Sequence, residues 1–263
     1  MSDRILIETH GHVAKVIMNR HDKMNALDPE QIEAVVQAGQ DVGKMDGIRA
    51  VVLTGGPKAF CAGLDVASMP VIAKAAQTDG FQTRTHGRSN LYQATAMVWH
   101  ELPMPVIAAV EGYAFGGGFQ IMLGADIRVA APGASFSIME AKWGLVPDMG
   151  GMVLARSLMR GDVLRRLTYT AEVFGAEDAE RWGVVTEVTE DPVARAMDLA
   201  QEIAGRSPDA TKAAKALITE TEFMDTADVL IAESAAQEKL VGSPNQLEAV
   251  MAGMQKRTPD FKD

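Results

Sequence analysis

The run Val110-Glu111-Gly112-Tyr113-Ala114-Phe115-Gly116-Gly117-Gly118-Phe119-Gln120 decides how the whole chain is read. An apolar, strand-like segment, Pro105 to Val110, leads into it, and an apolar, helix-like segment, Phe119 to Gly124, follows. A strand that passes through glycines into a helix start aims free backbone N–H groups at one spot. Those donors, with the positive end of the helix dipole, favour negative charge there. Such a place is a phosphate cradle or an oxyanion hole, and the neighbouring residues decide which.

A second glycine turn, Pro57-Lys58-Ala59-Phe60-Cys61-Ala62-Gly63-Leu64-Asp65, follows the apolar run Ala50 to Gly55. Neither turn ends in the Gly-Lys-Ser/Thr of a phosphate loop, and neither fits the full dinucleotide fingerprint. One such turn is weak evidence, since glycine also serves simple close packing. Two of them, each after an apolar strand, point to a site. A third segment, Ser135 to Gly151, adds Glu140 and Asp148.

Composition narrows the class. A chain of 263 residues is long enough for one large domain, or one with a small appendage. The formal net charge is −10 and no long basic run exists, which argues against duplex nucleic acid as a partner. The single cysteine, Cys61, excludes an intramolecular disulfide and a cysteine-rich zinc site. It sits beside a glycine turn without an activating signature and reads as a packed small residue. The leading residues from Met1 carry no long apolar stretch, and no run of the ~18 apolar residues of a membrane span is present. The expectation is a cytoplasmic protein with no membrane partner. Five histidines lack metal-ligand spacing, so no metal is expected.

Ile5 to Thr9 and His12 to Met18 read as two strands about His10-Gly11, and Asn19 to Leu27 as a loop. Asp28-Pro29-Glu30 starts a helix, with Asp28 as N-cap and Pro29 in the first turn. Ala50 to Gly55, Val106 to Val110 and Ile127 to Ala130 read as further strands. Residues 70–100 read as polar loops, at Gln77 to Gly80 and Thr85 to Asn90, around short helical pieces. Strands and helices alternate to about residue 190, and the rest is helical: a core over 1–191 and a helical region over 192–263.

The three segments, in this order and spacing, resemble the crotonase (enoyl-CoA hydratase/isomerase) superfamily. The resemblance runs from Met18-Asn19-Arg20 and Asn25-Ala26-Leu27 to the C-terminal Gln255 to Phe261. It implies an α/β fold, a spiral of stacked ββα units with a C-terminal helical trimerisation region, assembling as a homotrimer or homohexamer. It implies an acyl-CoA thioester as substrate and no separate cofactor, CoA being part of the substrate. The matched turns make the N–H groups of Leu64 and Gly117 the oxyanion donors. Gly63, Asp65 and Gly116 beside them, and Ala26 and Ala62, become positions along the CoA arm. Lys23, Lys58 and Lys256 are the cations for its phosphates, Lys256 reaching a neighbouring subunit.

At the acid and base positions the chain departs from the hydratase pattern of two glutamates. The downstream glutamate matches Glu140, while Gln120 stands at the upstream position. An amide can hold a water, but it cannot take a proton at neutral pH. Moving a double bond needs only one carboxylate, which removes a proton from C2 and returns it at C4. The resemblance therefore favours enoyl-CoA isomerisation with Glu140 as proton shuttle. A hydratase in which Gln120 positions water, and an acyl-CoA-binding member with little turnover, are the alternatives. Asp148 is a second catalytic candidate or a helix-capping residue.

Overall fold

The computed structural model describes residues 3–78 and 80–263. Met1, Ser2 and Asp79 lie outside them, so the reading of the leading residues and of the Gln77–Gly80 turn is followed only around those positions.

The predicted pair about His10-Gly11 forms: β1 (Ile5–His10) runs antiparallel to β2 (Val13–Met18). α1 (Pro29–Val42) starts where the sequence places it, with the Asp28 carboxylate accepting the Gln31 N–H at 2.8 Å. β3 (Ala50–Thr54), β5 (Val106–Val110), β7 (Ile127–Ala130) and β10 (Glu187–Val188) extend the first pair as parallel neighbours. The six-stranded sheet has the order β1-β2-β3-β5-β7-β10.

β3 and β5 are buried along their whole length. Side chains on a strand alternate between faces, so Val106, Ala108 and Val110 join the main core while Ile107 and Ala109 point the other way. That other face is covered by α8 (Pro192–Ala204), through Ala196, Ala200 and Ala204. Alanine every fourth residue lets the helix backbone lie close against the sheet. The chain beyond residue 191 thus begins as a layer of the core.

A second sheet, of order β4-β6-β8-β9, is built from β4 (Ala59–Cys61), β6 (Tyr113–Phe115), β8 (Ser135–Ser137) and β9 (Phe174–Gly175). These strands have two or three residues each, too short to show a periodicity in sequence. Each of the first three carries the chain toward the site. β4 leads to Gly63, β6 to the glycines before α4 (Gly117–Leu123), and β8 to the 3-10 turn Glu140–Trp143.

Residues 70–100 hold the expected helical pieces on either side of the loop residues 80–90. α2 (Met69–Thr78) and α3 (Leu91–His100) are ten-residue helices. Asn90, read as a loop residue, is the N-cap of α3 in a reciprocal capping box with Gln93. α3 buries Ala94, Ala96, Met97 and Trp99 and packs along α1, where Gly39 faces Val98. Between the glycine helix and the C-terminal region lie α5 (Gly151–Leu158), α6 (Gly161–Thr170) and α7 (Ala176–Arg181).

α9 (Pro208–Thr221), α10 (Thr226–Leu240) and α11 (Pro244–Gln255) complete the chain. α9 is tied to the core by Lys215, whose buried ammonium donates to the carbonyls of Trp99 and Met104 and to Asp126 at 2.8 Å. The Asp126 carboxylate also accepts the Val106 N–H, at the head of β5. Removing one partner of a buried pair leaves the other uncompensated, so Lys215→Ala should cost about 3 kcal/mol. The measurement is the urea midpoint, at unchanged slope.

Candidate active site

The two glycine turns meet. Gly63 has φ +87°, and a β-carbon there would lie 2.6 Å from the Phe115 carbonyl oxygen. One at Gly118 would lie 2.2 Å from the Cys61 carbonyl oxygen. The turns approach each other as backbone against backbone, which only glycine permits. The amide nitrogen of Gly117 lies 3.6 Å from where a Gly63 β-carbon would be, so the Leu64 and Gly117 segments are neighbours. Among the described residues neither N–H is paired with an acceptor. Gly117 is the first residue of α4, where helix N–H groups are free by construction.

The 20–27 loop holds the first turn in place. Asn25, buried at φ +56°, donates through Nδ2 to the carbonyls of Ala59 and Phe60 and accepts the Arg20 N–H through Oδ1. Backbone bonds Leu27 N–H to Gly63, Ala62 N–H to Met24 and Asp65 N–H to Leu27 complete the seam. Asp65 pairs with Arg20 at 2.9 Å and caps the 3-10 turn Val66–Ser68. Its carboxylate is thus taken up in holding the turn. Cys61 is buried, its thiol donates to the Asn25 carbonyl, and burial pushes its pKa up to about 12, against a hydrogen bond with the Gly63 backbone. It is no nucleophile at neutral pH.

Glu140, at the start of its 3-10 turn, is 8% exposed, and Gln120, on α4, is 1% exposed. Gln120 Nε2 donates to Glu140 Oε1 at 2.6 Å. Gln120 Oε1 accepts the N–H groups of both Met149 and Gly151 at 2.9 Å. The amide oxygen is therefore engaged by two backbone donors. Glu140 Oε2 is buried without a hydrogen-bond partner among the described residues. Burial raises the Glu140 pKa above its usual 4.5. The Gln120 donor and nearby backbone N–H groups pull the other way, and the charge of Asp148 adds to the rise.

Asp148 caps no helix. The N-cap of α5 is Gly150, at φ +90°, with no side-chain cap bond. Asp148 is exposed, while the surrounding protein raises its pKa by desolvation. Leu27 and Met149 flank Gly117, where a β-carbon would meet their side chains at 2.8 and 2.7 Å. The site thus brings together two free N–H groups, a buried carboxyl with one unpartnered oxygen, a second carboxyl and two apolar side chains. Such a set can polarise a carbonyl and move a proton on the carbon beside it.

Of the remaining sequence candidates, Gly116 begins the glycine turn, and a β-carbon on it would lie 3.4 Å from Glu140 Oε1. Ala26 and Ala62 are half-buried along the seam. Lys23 and Lys58 are exposed and have no ion pair among the described residues. Lys256, exposed at the C-cap of α11, is on a different element from the two turns. Sequence reasoning missed Met149 and Gly151 as hydrogen-bond donors to Gln120. Gly150-Gly151 before an apolar helix was the available signal.

The profile of the family described as Enoyl-CoA hydratase/isomerase matches residues 8–263. Enoyl-CoA hydratase EchA19 of Mycobacterium tuberculosis is 34% identical over 260 residues, covering 98% of this chain and 96% of that protein. Carnitinyl-CoA dehydratase of Salmonella heidelberg is 32% identical over 269 residues, covering 100% and 99%. Among solved structures, an enoyl-CoA hydratase from Bacillus anthracis superposes with a TM-score of 0.89 at 29% identity, over 99% of both chains.

Gly63→Ala tests the contact between the turns. It places a side chain at positive φ and 2.6 Å from a carbonyl, so a loss of at least about 2 kcal/mol in thermal or chemical unfolding is expected. Ala at the exposed Gly11, also at positive φ but with nothing nearby, should cost about 1 kcal/mol.

Proposed function

The chain belongs to the enoyl-CoA hydratase/isomerase family, and within it we propose an enoyl-CoA double-bond isomerase that works through a thioester enolate with Glu140 as proton shuttle. The thioester oxygen accepts the N–H groups of Leu64 and Gly117. Each such donor contributes about 3 kcal/mol to an oxyanion transition state in a dry site. The Glu140 carboxylate removes a proton from C2 of a 3-enoyl thioester. The electron pair spreads over the carbonyl oxygen, C2 and C4, and the same carboxyl returns the proton at C4. Nothing is consumed, and the double bond ends in conjugation with the thioester. The exposed Lys23 and Lys58 are suited to CoA phosphates in a chain of net charge −10, and Lys256 to those of a neighbouring subunit.

The observation that carries this reading is the engagement of Gln120. Both lone pairs of its oxygen are taken by Met149 and Gly151, which leaves Glu140 as the one buried acid at the two glutamate positions of a hydratase. A second reading, hydration or dehydration, draws on Asp148. Its charge is felt by Glu140 and its own pKa is raised, so it could serve as the other acid. The relatives named above as hydratase and dehydratase make that reading the one to test against. α10 has no buried residue and exposes Leu230 and Ile231, which fits assembly into a trimer or hexamer.

Crotonyl-CoA and a 3-enoyl-CoA, followed by absorbance of the conjugated thioester, separate the readings. Isomerisation with little hydration is expected, falling by about 10²–10⁴ in Glu140→Gln. Asp148→Asn should leave isomerisation within about tenfold of wild type. Abundant hydration that Asp148→Asn abolishes would replace the first reading by the second. Binding with neither reaction would leave a binding member with little turnover. Because Glu140 must be ionised to act, the rate should fall as pH drops through its raised pKa, above 4.5.

The same shift predicts a stability effect. A carboxyl whose folded pKa is raised favours folding in its protonated form and opposes it once ionised. Glu140→Gln should therefore raise the melting temperature at pH 7.5, and the gain should shrink as pH falls toward the ordinary glutamate value of 4.5. No gain at pH 7.5 would mean that the Glu140 carboxylate carries no burial penalty.

A further inference from the structure

We propose that Gln120 is a positioning residue: its amide clamps Glu140 to the N-terminus of α5 and fixes the orientation of its carboxyl. The inference rests on the reading of Glu140 as the base. Four observations carry it. The Gln120 oxygen takes two backbone N–H groups, from Met149 and Gly151, at 2.9 Å. With that end fixed by two donors, the NH₂ end must face Glu140, which it meets at 2.6 Å. The orientation of the amide is thus set by its partners. α5 has no side-chain cap of its own, so a residue from α4 satisfies its first N–H. Finally, Gly151 leaves room for nothing else, since a β-carbon there would lie 2.5 Å from Gln120 Cγ.

The clamp has a chemical consequence. An amide donor on Oε1 leaves Oε2 without a hydrogen bond and stabilises the ionised form of Glu140. A glutamate at position 120 would sit among the same two donors at a helix start and remain charged there. It would then hold a negative charge against Glu140. Gln120 therefore keeps Glu140 a base, where a glutamate would drive it toward the acid form. Asp148 directly precedes Met149, so the same clamp sets where the second carboxyl stands.

The test uses Gln120→Met, which removes all three hydrogen bonds at similar volume, and Gln120→Glu, which keeps the two backbone bonds. Carboxyl ¹³C NMR, with the Glu140 resonance assigned by Glu140→Gln, follows its titration in each folded variant, and melting curves confirm the fold. Glu140 should titrate at higher pH in Gln120→Met than in wild type, and higher still in Gln120→Glu. On 3-enoyl-CoA, Gln120→Met should lower kcat about 10²-fold with KM changed less than about threefold. The acid limb of the Gln120→Glu pH–rate profile should move up with the NMR titration. Gly151→Ala, which displaces the same amide, should reproduce Gln120→Met, and the double variant should lose little more. A Glu140 titration that coincides in wild type and both Gln120 variants would overturn the clamp, even if isomerisation stands. Absence of turnover in the wild type, with the titrations shifted as described, would overturn the isomerase reading and leave the clamp intact. If Gln120→Met does not fold, Gln120→Glu decides alone.

Discussion

Contact between two backbones at Gly63 and Gly118 is the constraint on which the rest depends. Each glycine presses on a carbonyl of the opposite turn, Phe115 in one case and Cys61 in the other, where no β-carbon fits. The parallel pairing of β4 with β6 brings the turns together, and the 20–27 loop keeps them there through Asn25. The two N–H groups are thereby placed by backbone geometry, and in the proposed reading Leu64 contributes only its amide. The side chains around them, Leu27 and Met149 among them, can then differ without disturbing the two N–H groups. Rigid placement matters because a donor aimed before the charge develops costs no reorganisation when it does.

How much of this was legible in the sequence follows from interaction range. The long buried strands, the Asp28-Pro29 helix start and the glycine turns are local patterns, and the fold shows them at nearly the expected bounds. The short second sheet has no period to detect, and its strands are recognisable only through their partners. The start of α3 was less legible, because Asn90 reads equally as a loop residue and capping depends on which hydrogen bonds close. The division at residue 191 followed a change in element type. α8, which begins just after it, packs on the sheet of the first part, because a stripe of alanines reads as a weakly apolar helix until the sheet it covers is known. At the site, Glu140 and the two turns were legible through the family resemblance. The role of Gln120 was not, since its partners at 149 and 151 lie about thirty positions away and act through backbone groups that any residue type carries.

The electrostatics of the site run against stability and toward reactivity. A buried carboxyl with an unpartnered oxygen is disfavoured in its charged form, and a net charge of −10 offers no general relief. Arg20, in the 20–27 loop, is used elsewhere: it bridges Asp28 and Asp65, which holds the first turn. Had a guanidinium stood beside Glu140, the pair would be more stable and the base weaker, since a cation lowers the pKa it neutralises. Gln120 is an intermediate solution. It gives Glu140 one neutral donor, enough to orient it and partly offset its burial, while the backbone N–H groups on the far side hold the amide in that role. Sequence change at 120 therefore acts on charge more than on shape: glutamine and glutamate fill the same volume and accept the same two N–H bonds, yet only the amide can also donate to Glu140 without bringing a charge of its own.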